Sequence, residues 1–363
     1  MIGKEGGVAL SSAGDLLKPG MESVVCDLCH SDQSEVVTRQ RDLLLEVTND
    51  EFTIVKCSRC GLIYLNPRPS KTSLVHTTQR STTRRFKRRC VLSYNNRRRN
   101  FLHRSSDGCW KTIMDIPRLL PLGGPVSRGK FYCGPIRRYA NSKAAIRCRG
   151  EGKVLDVGCG AGGNLKALQE QGWQVFGIEI SDVAAAHARD LLRADIHTGT
   201  LESAPFPPKS FDLVLMSHSL EHLPSPADAL RRVHSLLKDN GLLVVSVPNV
   251  NSLEYKLFGR WWFQLDTPRH FYQFDKRSLS RFFTQAGFLL NHFRTGVSDI
   301  FFMASLDRLW THRFRTDVPF RKLIDRLIAR PVSLIAGHLG YGTEITAYAV
   351  KQQDAVLTSS RAL

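Results

Sequence analysis

One ten-residue run constrains this chain more than any other: Val154-Leu155-Asp156-Val157-Gly158-Cys159-Gly160-Ala161-Gly162-Gly163, a short apolar strand that ends in an acid and runs into glycines. A strand entering such a turn needs residues that take positive φ and let the backbone approach a ligand closely. Gly158, Gly160 and Gly162 supply both. The pattern is that of a nucleotide-binding turn for an adenosine-like cofactor. Spacing alone leaves the cofactor open, because Gly158, Gly160 and Gly163 also satisfy the GxGxxG spacing of dinucleotide sites. Asp156 argues the other way: a pyrophosphate has no use for a carboxylate just ahead of the loop, whereas the amino group of S-adenosylmethionine does.

The next hundred residues continue the alternation. Helical spacing over 164–171 stops at Gly172, and a strand over 174–180 brings Glu179 to its tip. An acid about 20 residues past the glycine loop is placed to accept both hydroxyl protons of a ribose. Ser181 caps a helix running through Arg189, and 196–198 forms a short strand. The fourth strand is 211–217, Ser225-Pro226 opens a helix that runs to Gly241, and 242–247 is the fifth strand. Strands rich in leucine and β-branched residues, alternating with helices, imply a parallel sheet covered on both faces. The wording VLDVGCGAG resembles the first motif of the Rossmann-like S-adenosylmethionine methyltransferases, and the resemblance spans residues 151–250. It implies an α/β fold with a seven-stranded, mostly parallel sheet, closed by strands at 288–295 and 344–351. It also implies a cofactor site of Asp156, Gly158, Cys159, Gly160, Gly162, Glu179, Leu201 and Ser217, with Leu201 against the adenine and Glu202 a polar contact.

Two loops point at the reacting end. His218-Ser219-Leu220-Glu221-His222 follows the fourth strand, at the sheet edge where open α/β folds bind ligands. His222 or His218 there suits a general base, and Glu221 with His222 suits either catalysis or a brace for the loop. Residues 266–275 carry Arg269, His270 and Tyr272 and resemble the substrate-side loop of many bacterial methyltransferases of sugar and natural-product clusters. His270 is accordingly the favoured base, Arg269 a partner for an anionic group and Tyr272 a substrate contact. Trp261, Trp262 and Phe263 read as a stacking surface or as packing.

The amino-terminal part carries a separate signature. Cys26-x-x-Cys29 and Cys57-x-x-Cys60, a hairpin's length apart, offer four thiolates for a tetrahedral structural zinc. Residues 21–70 are therefore expected to form a small zinc ribbon, and CGLIYLNPRP is similar to wording found ahead of deoxysugar methyltransferase domains. Residues 71–150 are then a basic linker, and 151–352 the cofactor-binding domain with a helical insertion at 298–342. The insertion reads as two amphipathic helices broken at Pro331, forming a lid, core packing or a membrane-surface contact.

Charge is concentrated in one segment. Residues 71–150 hold 20 Lys and Arg against Asp107 and Asp115, a surplus equal to the net +18 of the whole chain. Basic clusters interleaved with Phe86, Tyr94 and Phe101 suit a nucleic-acid backbone. The absence of periodicity there suits a disordered insertion or a locally frame-shifted reading equally well. No apolar run approaches the ~20 residues that span a bilayer, so the expected location is cytoplasmic, with at most peripheral membrane contact. The reading as a whole is methyl transfer from S-adenosylmethionine to a small-molecule acceptor. An RNA methyltransferase and a non-catalytic binding module are the alternatives.

Overall fold

The computed structural model describes residues 20–46, 48–70, 152–296 and 298–352. The basic segment expected at 71–150 lies outside the described residues. The amino-terminal strands are β1 (Met21–Glu22), β2 (Ser34–Arg41), β3 (Glu51–Cys57), β4 (Ile63–Leu65) and β5 (Arg68–Pro69). The larger part follows as β6 (Lys153–Val157), α1 (Gly163–Gln169), β7 (Gln174–Glu179), α2 (Asp182–Leu192), β8 (Asp195–Thr198) and β9 (Phe211–Ser217). Then come α3 (Pro226–Leu236), β10 (Leu237–Pro248), α4 (Leu253–Phe258), β11 (Tyr272–Gln273), α5 (Lys276–Gln285) and β12 (Phe288–Gly296). The insertion contributes α6 (Asp299–Phe314), α7 (Arg321–Ile324) and α8 (Arg330–His338), and β13 (Glu344–Lys351) closes the domain.

The central sheet has seven strands in the order β12-β13-β10-β9-β6-β7-β8. Strands β8 through β10 are parallel, and β13 runs antiparallel to both β10 and β12. This is the expected mostly parallel sheet. Its middle strands are buried on both faces, as Val154, Leu155, Val214 and Met216 show by near-zero exposure. The chain order reverses between β6 and β9, and that switch point opens the crevice in which ligands of such folds sit.

Several element boundaries differ from the expected ones, each for a local reason. The helix opened by Ser225 ends at Leu236 rather than Gly241, because Leu237 already pairs with Phe211 and begins β10; a bulge separates that pair from Leu242–Leu213. Helix α2 runs past Arg189 to Leu192, where Arg193 in the left-handed region ends it. Pro331 does not break the insertion. A π-helical turn over Asp325–Ala329 shifts the hydrogen-bond ladder, Arg330 N–H donating to the Asp325 carbonyl, and Pro331 enters α8 at a position that needs no donor. Helix α6 packs on the aromatic run: Phe302 meets Phe258, Phe301 stacks on Phe263, and Arg308 donates to the carbonyls of Trp262 and Phe263. Trp262 is wholly buried and serves packing, while Trp261 and Phe263 are half-buried.

The amino-terminal module shares structure with the larger part. Strand β11, from the 266–275 loop, pairs with β4 and completes a four-stranded sheet β11-β4-β3-β2, with Tyr272 opposite Tyr64 and Gln273 opposite Ile63. Asp27 caps α3, accepting from Ser225 Oγ and the Ala227 N–H at 2.9 Å each. Leu65, Tyr64, Phe271, Tyr272 and Phe274 belong to one continuous core. No helix among the described residues is long and apolar enough to cross a membrane.

Candidate functional site

The glycine loop leaves β6 and is locked onto β7 by the backbone. Gly158 and Cys159 both donate to the Ile178 carbonyl, and Gly162 donates to Cys159. Gly158, Gly160 and Gly162 all take positive φ, as expected. A side chain at Gly158 would put a Cβ 2.8 Å from the Ser219 Cβ, whereas one at Gly160 would meet nothing within 4 Å. The first glycine thus lets the loop touch residues 218–222, and Gly160 faces open space.

Glu179 stands at the end of β7 and is nearly buried; its Oε2 accepts from the Gly160 N–H at 2.9 Å and its Oε1 from the Ser181 N–H at 2.8 Å. Asp156 is fully buried in β6, and neither carboxylate oxygen finds a hydrogen bond of good geometry. Burial pushes it up to about 7, Asn164 opposes that, and the Glu179 charge adds to it. A buried, under-satisfied carboxylate beside an open glycine calls for a donor of positive charge. The amino group of S-adenosylmethionine fits that demand, and the Glu179 oxygens retain lone pairs for a ribose.

The remaining residues expected at this site fall into two groups. Leu201 is buried in the main core next to the loop after β8, and Ser217 sits half-buried at the tip of β9, opposite Ser246. Cys159 is different. Its N–H is bonded to Ile178, its carbonyl accepts from Gly162, and its Sγ would lie 2.7 Å from a Cβ at Gly177. It therefore fastens the loop to β7 from behind, and Gly177 exists to make room for it.

The loop after β9 and the 266–275 loop meet. His218, in the left-handed region, lies 3.0 Å from Glu344 and 3.3 Å from Glu221; burial alone would lower it, but the two carboxylates hold it up at about 10. The two carboxylates thus favour its protonated form. His222 Nδ1 donates to the Arg269 carbonyl at 2.9 Å, and His270 Nδ1 to the Gln264 carbonyl at 2.7 Å. Their rings meet edge to face with centroids 4.6 Å apart. Burial drives His270 down to about 4. Glu221, at zero exposure, faces both rings, its Oε1 4.0 Å from His270 Nε2.

Arg269 and Tyr272, expected as substrate contacts, both have partners within the protein. Arg269 is buried and grips Asp42 of the amino-terminal module bidentately, at 3.0 and 2.9 Å, while also bonding Asp266. Tyr272 is buried in β11; its hydroxyl donates to the Pro224 carbonyl and accepts from Arg68. Both residues tie the loop to the amino-terminal module. Sequence spacing held no sign of this, since Asp42 and Arg269 stand 227 positions apart.

The four cysteines converge as expected. Cys26 Sγ lies 3.4 Å from Cys60 Sγ, Cys29 Sγ 3.5 Å from Cys57 Sγ, and all four sulfurs lie within 4.8 Å of one another. Disulfides would need ~2.05 Å, while a tetrahedron with 2.3 Å metal–sulfur bonds has edges of about 3.8 Å. The two knuckles are built alike: His30 N–H returns to the Cys26 carbonyl and Gly61 N–H to the Cys57 carbonyl, both at positive φ.

Residues 128–292 match a family model described as a methyltransferase domain. Over 138 residues the chain is 35% identical to a ubiquinone biosynthesis O-methyltransferase of Bradyrhizobium diazoefficiens, covering 37% of this chain and 54% of that protein. A probable S-adenosylmethionine-dependent methyltransferase of Mycolicibacterium smegmatis is 30% identical over 139 residues, again 37% and 54%. The chain thus spans about half the length of the curated relatives it matches. A solved S-adenosylmethionine dependent methyltransferase from Mesorhizobium loti is similar at 18% identity and a TM-score of 0.42, over 61% of this chain and 98% of that one.

Proposed function

We propose that the chain, which matches a methyltransferase-domain model over residues 128–292 and folds into a seven-stranded, mostly parallel sheet, transfers a methyl group from S-adenosylmethionine to a small-molecule acceptor, with one structural zinc in its amino-terminal ribbon. The observation that carries this reading is the contact of Gly158 with Ser219, which sets the cofactor loop against the loop bearing Glu221 and His222. When bound, the cofactor supplies an electrophilic methyl on a sulfonium centre. Asp156 would take its amino group and Glu179 its ribose hydroxyls, while Gly160 leaves room for the chain between them. Residues 218–222 and 266–275 would hold the acceptor in line with the methyl, which by positioning alone removes much of the barrier. Arg269 and Tyr272 act at one remove, holding the 266–275 loop in place through Asp42, Arg68 and Pro224.

A small acceptor is supported over RNA by the relatives, the first of which is named for ubiquinone biosynthesis; the basic segment that would favour RNA lies outside the described residues. The deciding experiment is calorimetry with S-adenosylmethionine and NAD, followed by incubation with methyl-labelled cofactor and either a metabolite extract or total RNA. Cofactor binding with label in the small-molecule fraction is the expected result. Absent binding, or label in RNA, overturns the reading.

A further inference from the structure

We propose that Glu221, His222 and His270 form a divalent-cation site beside the cofactor loop, distinct from the ribbon cysteines. One ligand atom from each residue lies within 4.8 Å of the other two. His270 presents its Nε2 to Glu221, 4.0 Å from Oε1. A backbone carbonyl only accepts, so the Nδ1 atoms that contact Arg269 and Gln264 carry the protons, and each Nε2 keeps its lone pair. An imidazole oriented through the N–H on its far side is the usual support of a metal-ligating histidine. Glu221 is completely buried, and neither of its oxygens makes a hydrogen bond of good geometry. His218 Nδ1 comes no closer than 3.3 Å and is shared with Glu344, which it meets at 3.0 Å.

A carboxylate and two imidazoles thus converge in a buried place, with no proton between the carboxylate and the His270 Nε2. The His218 ring, 3.3 Å from one Glu221 oxygen, answers part of that carboxylate's charge, and the other oxygen and the two imidazole lone pairs are favourably placed around a cation. Metal bonds of 2.0–2.2 Å set neighbouring ligand atoms about 3–3.5 Å apart. The 4.0 Å between His270 Nε2 and Glu221 Oε1 therefore closes by roughly half an ångström on binding, within reach of side-chain rotation. Two imidazoles and one carboxylate select Fe, Co, Ni or Zn over Mg or Ca, and leave coordination positions free. Asp266 Oδ2, 3.8 Å from His270 Nε2, stands close enough to orient a bound water.

The position of the site gives it a task. Ser219 touches Gly158, so the cation would sit next to the cofactor's loop and offer its open positions to an oxygen of the acceptor. A hydroxyl held on such a cation ionises near neutral pH, as metal-bound water does. In that role the histidines are ligands rather than bases. The task rests on the methyl-transfer reading; the cation site itself does not.

The test uses the full chain with its cysteines saturated with zinc, so that thiolates are occupied, followed by titration with Co2+. The expected result is one further equivalent bound with a visible d–d band and no thiolate charge-transfer absorption. Glu221→Gln and, separately, His222→Gln should weaken that binding at least tenfold while zinc content and far-UV dichroism stay unchanged. A wild-type protein that binds no second metal overturns the proposal, as does a band that carries thiolate absorption or survives in both variants. If Glu221→Gln loses its fold, His222→Gln, on a half-buried residue, decides alone. S-adenosylmethionine calorimetry on the same samples separates the two readings. Retained cofactor binding without Co2+ removes only the cation site, whereas lost cofactor binding in the wild type removes the methyl-transfer reading.

Discussion

Replacing Arg269 by Gln tests whether this arginine holds the fold or holds a substrate. The guanidinium sits between Asp42, whose side chain is 0% exposed, and Asp266, at 6%, and is itself 8% exposed. Removing the cation leaves two buried carboxylates, and breaking a buried ion pair from one side costs about 3–5 kcal/mol. The lower end applies here, because Asp42 Oδ1 keeps the N–H groups of Leu44 and Leu45 at 3.2 and 3.0 Å. The expected loss is therefore about 3 kcal/mol, read from urea unfolding followed by the fluorescence of buried Trp262. Adding Asp42→Asn to Arg269→Gln should recover part of that loss, since one of the two stranded charges is gone; the pair is in contact and its effects should not add. A loss under about 1 kcal/mol with no coupling would refute the structural role and return Arg269 to the acceptor site.

Glu179→Gln should weaken S-adenosylmethionine binding by about 1–3 kcal/mol, the cost of a lost charged acceptor; calorimetry showing unchanged affinity would remove Glu179 from the ribose site. Because Asp156 is held up near 7 in the free protein, it is neutral below that pH, so affinity for the cationic cofactor should climb by up to tenfold per pH unit below 7 and level off above. The same raised value means that the folded state keeps a proton the unfolded chain has released. Ligand-free stability should accordingly fall between about pH 4 and 7, and Asp156→Asn should flatten both profiles. Cys57→Ser with Cys60→Ser should abolish zinc by elemental analysis, and, because β4 pairs with β11, should also expose the 266–275 loop to limited proteolysis; zinc retained in that variant would sink the four-cysteine site. Tyr272→Phe removes one hydroxyl bonded to Pro224 and Arg68 and should cost about 1 kcal/mol of stability, with cofactor affinity untouched.

The amino-acid order determined whatever depends on neighbours along the chain. The strand–glycine–helix turn at 154–163, the acid at Glu179, the alternation of apolar strands with capped helices and the paired CxxC knuckles are all local patterns, because backbone conformation and period are set within a few residues. The sheet's composition followed from them. Tertiary structure decided what lies between distant segments. Asp42 and Arg269, Asp27 and Ser225, and β4 with β11 meet only after the amino-terminal module docks, and this gives Arg269 and Tyr272 partners in that module which sequence spacing did not show. Element ends that hinge on a partner strand moved too, as at Leu237, where pairing with Phe211 overrode the stop expected at Gly241. In the sequence, Glu221-His222 is an adjacent pair after the fourth strand and His270 a lone histidine 48 positions on. Only the fold brings the third ligand to the first two, since a site of this kind is defined by where side chains converge, and convergence leaves no mark on sequence spacing.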